Sequence, residues 1–462
     1  PAQQERRYEL LLALGEARWC AGDLDSARDA YLQAADAAAE LDDPDCLGHA
    51  ALGYAGPLRF EPGARRQQPL VELLERAITA QGDAGGSMRP RLEARLAAVL
   101  LSGGDEERKR DLARDAIALA RAAGDRAALA EVLSTCLFAT RSPDNLRWRI
   151  DTGRELEELA NELGDAALQA VAHGGLLDDT LESGDIDASD RERASFERLA
   201  EQLGERYRLW LVMLARARAA LVEGRVDDSE ALALQASTHG LGGADESAFH
   251  ALGVQLLVVR REQARLDELL PGAEAFAAQY PEVPAWRCGL TWVYGELGRG
   301  EDAARELDTL GAERFAALPR DAFWLVGISM LSEAAAFVEH PVHAPVLYEL
   351  LAPYAEHCVV ITTACLGSAA RPLGLLATAL ERFDDAERHF ARALEVSERI
   401  RSPLWIGHAQ CDYAAMLLRR DGPGDRDRAR DLRDDAVGTA RELGLPAVAR
   451  KAELLGPGAG AR

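Results

Sequence analysis

Asp178, Asp179 and Glu182, in the run DDTLE, have the aspartate-rich spacing with which helical enzymes hold magnesium. No second metal motif accompanies the run. It also falls where a helix should end before Gly184, so a helix terminus accounts for it without catalysis. The only concentration of histidine and cysteine is His340, His343, His357, Cys358 and Cys365. Imidazole and thiolate are zinc ligands, but the H-x-x-H lies beside Pro341 and Pro345, in what reads as an interhelical turn. Trp286, Trp292 and Trp324 could line an aromatic binding wall or pack between helices. No phosphate-binding G-x-x-x-x-G-K-[ST], H-E-x-x-H, G-x-S-x-G or G-x-G-x-x-G occurs. The chain is therefore expected to be no enzyme and to carry no cofactor or metal.

Composition sets the class of molecule that must position these residues. Hydrophobic residues make up 48% of the 462 residues but aromatics only 6%, so the apolar fraction is mostly Ala, Leu and Val, which favours helices. The net charge of −24, from 77 acidic against 53 basic side chains, argues against nucleic acid or an anionic membrane as partner. Two local basic runs, ARR at 64–66 and RWR at 147–149, read as solvated loop or helix faces. Lys109 and Lys451 are the only lysines. Seven scattered cysteines with no C-x-x-C pair suggest buried thiols in a reducing cytoplasm, and no apolar run is long enough to span a bilayer.

The elements follow from an internal repeat. Gly124, Gly164 and Gly204 recur at 40-residue intervals, with looser marks near Asp42, Gly82, Asp245, Pro281, Pro319, Ser402 and Gly444. A second set of breaks lies at Gly22, Gly103–Gly104, Gly184, Gly224 and Gly298. Glycine suits the left-handed residue just past a helix, so each period reads as two helices joined by a turn. Dividing length by period gives about eleven pairs. No period-two strand pattern is evident, so no sheet is expected.

Two of these pairs carry a further signature. Leu373 and Gly374, then Ala386, Phe390 and Ala393, share their offsets with Leu14, Gly15, Ala27, Tyr31 and Ala34. A Leu-Gly on one helix with Ala, aromatic, Ala on the next is the tetratricopeptide (TPR) pattern: small residues let helices cross closely, and the ring fills the remaining space. The predicted fold is an all-α, right-handed solenoid of TPR-like pairs over 1–455, with a subdivision point near 241–245 and a flexible tail at 456–462. Pro372 interrupts this plan in ACLGSAARPLGLLATAL (364–380), where the first helix of the tenth pair should already be running. Either that helix starts late or it kinks there.

The stretches 318–337, 347–360, 365–377, 384–395 and 409–430, together with RRYELLLALGEARWCAGD at 6–23, resemble the C-terminal helical region of large bacterial signalling ATPases. These carry AAA or STAND-type ATPase modules with nucleotide-cyclase or LuxR-type DNA-binding domains, as in MalT-like and AfsR-like regulators. The resemblance implies a sensor or scaffold arm whose partner is a protein, the upstream ATPase domain of the same polypeptide, or a small anionic effector. It transfers no catalytic residue and departs from the family at Pro372. A free-standing adaptor is the alternative, and a helical enzyme a third. The candidate ligand or partner surface is the concave wall between the ninth and eleventh pairs, at Arg320, Trp324, Arg371, His408 and Asp412. Two arginines near a Trp could receive an anionic group. Alternatively, Trp324 is core and Arg320 pairs with Asp321 or another surface acid.

Overall fold

A computed structural model describes residues 2–21, 23–56, 58, 68–82, 86–100, 106–239, 246–281 and 283–456. The basic run at 64–66, Gly22, Gly103–Gly104, the subdivision point at 241–245 and the tail from 457 onward lie outside the described residues. Among those described, twenty-three α-helices follow one another as eleven successive pairs and a final short helix, Pro446–Glu453. The chain is an all-α solenoid of TPR-like pairs. By contact it divides into two compact units, 1–141 with 151–172, and 142–150 with 173–462.

The 40-residue rhythm has a backbone cause. Gly124, Gly164 and Gly204 all have positive φ, between 66° and 72°, and sit one residue past a helix. At two looser marks Asp42 (φ 53°) and Arg401 (52°) take the same conformation, and at the second set of breaks, inside pairs, so do Ala264 (55°), Glu339 (47°), Glu381 (57°) and Asp421 (51°). The left-handed cap persists while the glycine does not, at a steric cost of about 1–2 kcal/mol per residue. This is why the period fades from the sequence but not from the fold.

One expectation is corrected: a sheet is present. Strands β1 (Cys358–Ile361) and β2 (Ala364–Ser368) form an antiparallel hairpin, pairing Cys358 with Ser368, Val360 with Cys365 and Ile361 with Ala364. Every residue of both strands is buried. A strand covered on both faces has no solvent side to alternate with, so the period-two signal vanishes. The hairpin also resolves Pro372. The helix starts late, at Ala370, leaving Pro372 in its first turn, where a backbone N–H has no intrahelical acceptor to lose. Ser368 belongs to β2, and its Oγ accepts the Ala370 N–H at 3.1 Å.

The acids of DDTLE hold this region together. Arg218 donates to Asp178 at 2.5 Å and to the Ile361 carbonyl at 2.8 Å, and the Thr362 hydroxyl donates to Asp178 at 2.9 Å. Arg149 of the RWR run is buried, not solvated, and bonds Asp179 and, at 2.7 Å, Glu182. All three carboxylates are neutralised by arginine or hydroxyl donors, so the run is a buried structural clamp.

Candidate functional site

Within the second unit the first helices of successive pairs stack in order. Pro284–Glu296 packs on Trp324–Phe337, then come Ala370–Ala379, Pro403–Arg420 and Pro446–Glu453, which in turn touches Glu246–Glu262. Between them lies a cavity of about 470 Å³, within the range of small-ligand sites. Its lining includes Arg261, Trp292, Glu333, Arg371, His408, Asp412 and Lys451, with Ala334, Phe337, Leu375, Ala379, Met416 and Leu454 as apolar wall.

The cavity floor is a buried ionic network. Arg371 Nη1 donates to Asp412 at 2.8 Å, and its other terminal nitrogen pairs with Glu333. Lys451 reaches the second oxygen of Asp412 at 2.5 Å. Arg261 donates to Glu262 at 2.8 Å and to Glu296 at 3.1 Å, and its guanidinium lies 5.1 Å from the Trp292 ring centre. Trp292 donates its indole N–H to Glu333 at 3.3 Å. His408 Nε2 lies 2.8 Å from Glu262. A cluster this enclosed survives only because each charge is paired, and removing one member strands the others.

Burial works to raise every carboxylate pKa here, and the adjoining cations outweigh it. Glu262 is held at about 2 chiefly by His408 and Arg261, and Asp412 at about 2 by Lys451 and Arg371. Glu333 is likewise lowered, by Arg371 and Arg261 against its burial. Burial lowers the His408 pKa, with the Arg261 charge adding to it and Glu262 opposing. His408 donates from Nε2–H to Glu262. Five lining residues are cationic and four are carboxylates, so the cavity is not acidic although the chain carries −24.

Arg371, His408 and Asp412 thus meet at one cavity, and Arg371 and Asp412 are in direct contact. Arg320 and Trp324 do not belong to that lining, so the five expected residues do not share one cavity. Arg320 stacks over Trp324 with its guanidinium 4.2 Å from the ring centre and pairs with Asp144 at 3.0 Å and Tyr354 at 2.8 Å. Trp324 is core, 4% exposed, and Asp321 instead accepts the Phe323 backbone N–H at 2.9 Å. Sequence reasoning missed Arg261, Glu262, Glu333 and Lys451. Lys451 offered a signal, as one of two lysines in an arginine-rich chain; the others look like ordinary helix residues until distant pairs are stacked.

Among the described residues no helix is long and apolar enough to cross a membrane. No protein-family model matches the chain, and no curated protein does. Solved structures similar to it include an APC/C hetero-tetramer, Cut9–Hcn1, at 14% identity and TM-score 0.44, covering 97% of this chain and 87% of that one. The TPR domain of P58(IPK) aligns at 12% identity and TM-score 0.23, over 94% and 98% of the two chains. A circular tandem repeat protein with novel repeat topology aligns at 14% identity and TM-score 0.18, over 97% and 87%. At these scores the TPR-like assignment rests on the pairing, caps and glycine–ring contacts of this chain itself.

Proposed function

We propose that the chain is a TPR-type recognition arm, a scaffold that binds a protein partner through the cavity of its second unit. The observation that carries this reading is the convergence of Arg371, His408 and Asp412, with Trp292 and an apolar wall, between helices of five different pairs and the final helix. Arrays of this kind recognise partners on the surface their first helices build. On the finer reading, the arm belongs to a bacterial signalling ATPase or transcription regulator. Occupancy of the cavity by a partner domain or a small anionic effector then shifts how the arm holds its ATPase. A free-standing adaptor would use the same cavity.

The test is selection of peptides from a random displayed library by the intact chain, repeated with Ala379→Arg, which places a long cation on the cavity wall. Peptides enriched by the wild type and lost by Ala379→Arg support the reading. No enrichment, or binders indifferent to the substitution, overturn it. Saturable ATP turnover abolished by one point mutation would favour the enzyme alternative; none is expected.

A further inference from the structure

Asp308, His340 and His343 are not part of the cavity lining, yet they bring three ligand atoms within 4.8 Å of one another. His340 Nε2 and His343 Nε2 both face Asp308 Oδ1, at 3.2 and 3.0 Å. We propose that these three side chains bind one borderline divalent transition-metal ion, with zinc as the type case. In a tetrahedral zinc site, bonds of about 2.0–2.2 Å place neighbouring ligand atoms about 3.3 Å apart. The two nitrogen–oxygen spacings are close to that.

The surroundings hold the ligands in place. Asp308 lies on helix Gly300–Leu310, while His343 opens helix His343–Leu351. A Cβ on Gly311 would come within 2.3 Å of His343 Cε1, so the glycine leaves the room that the imidazole occupies. The buried Phe315 ring meets the same imidazole edge-on at 5.5 Å. It is delivered there by Glu313, Arg314 and Phe315, three successive non-glycine residues with φ of 48°, 60° and 62°. Such a run is strained, and strain of this kind concentrates where a side chain must be held in one position. The two imidazoles lie side by side, 4.4 Å between centres.

The chemistry selects the ion. Two imidazole nitrogens and one carboxylate suit zinc, copper, nickel or cobalt, whereas calcium and magnesium prefer all-oxygen sets. Three protein ligands leave a fourth position for water. His340 Nδ1 accepts the His343 backbone N–H at 3.2 Å, so the neutral ring carries its proton on Nε2, facing Asp308. Metal entry takes Nε2, the ring proton moves to Nδ1, and that one helix-start hydrogen bond is given up. Acid protonates the ligands and releases the ion. A bound ion would tie together the second helices of the eighth and ninth pairs.

The experiment uses the tag-free full chain, stripped with chelator and titrated calorimetrically with zinc chloride, with cobalt chloride as spectroscopic probe. Expected are one zinc per chain and affinity reduced about tenfold or more by Asp308→Asn and by His340→Gln. The cobalt spectrum should lack a thiolate charge-transfer band, which separates this site from the seven cysteines. Asp308 is exposed, so Asp308→Asn should melt like the wild type without metal, and loss of binding there is not loss of fold. Absence of saturable binding by the wild type, unchanged affinity in Asp308→Asn, or a thiolate band overturns the assignment.

Discussion

The first and tenth helix pairs share one local device and use it in opposite settings. In the first, a Cβ on Gly15 would approach the Tyr31 ring to 2.9 Å; in the tenth, one on Gly374 would approach the Phe390 ring to 2.7 Å. Both glycines let two helices close on a ring. Their surroundings differ. Helix Ala2–Cys20 buries only Tyr8 and Gly15, and exposes Leu10 and Leu14. Helix Ala370–Ala379 buries seven of its ten residues, Arg371 among them. The signature therefore encodes how a pair closes, whereas the cavity arises from what later pairs stack against it.

The largest expected contrast is with acid. Glu262 and Asp412, both fully buried, are held at about 2. A depressed folded pKa stabilises above the unfolded carboxylate range, about 4, and that stability is lost as pH falls through the folded value. The second unit should thus loosen between about pH 4 and 2. In the first unit Asp43 is lowered mainly by the backbone N–H of Cys46, at the surface, so its protonation costs one helix cap. Hydrogen exchange corrected for intrinsic rates should show protection near Glu262 and Asp412 falling first. Equal loss around Asp43 would remove the distinction.

Next in size is the loss of one cation. Arg371→Ala leaves Glu333 and Asp412 buried with reduced compensation and should destabilise by about 3–5 kcal/mol. Arg7→Ala removes a partner of Glu40 at 3.9 Å, with both side chains more than half exposed, and should cost about 0–1 kcal/mol. Denaturant midpoints decide, and comparable losses would mean that the Arg371 network is not enclosed.

Ring truncation follows. Phe390 is 0% exposed and stacks on Tyr413 at 5.7 Å, so Phe390→Ala should cost about 3–5 kcal/mol. Tyr31 is 8% exposed, and Tyr31→Ala should cost less by the same measurement. The smallest contrast concerns the alanines. Ala27 and Ala34, like Ala386 and Ala393, are 0% exposed. Each change to Leu should destabilise by about 1–3 kcal/mol in either pair, because methylenes must enter a close helix crossing. Unchanged melts for Ala386→Leu and Ala393→Leu would show that these alanines face no partner helix.

Helix pairing, its 40-residue period and the closeness of two crossings were legible in the residues, because caps and small-residue stripes act within a few turns of chain. The β1–β2 hairpin was not, since strands buried on both faces lose alternation. Arg371 and Asp412 could be placed on facing helices from the repeat alone, 41 residues apart. Arg261 and His408 could not. They lie 147 positions apart, and only the stacking of intervening pairs brings them to 3.4 Å. The same holds for Asp308, which no short motif links to His340 and His343. Local chemistry sets each pair through contacts near in sequence; the charge network and the metal-ligand cluster are decided by packing between pairs, where burial sets which charges must meet.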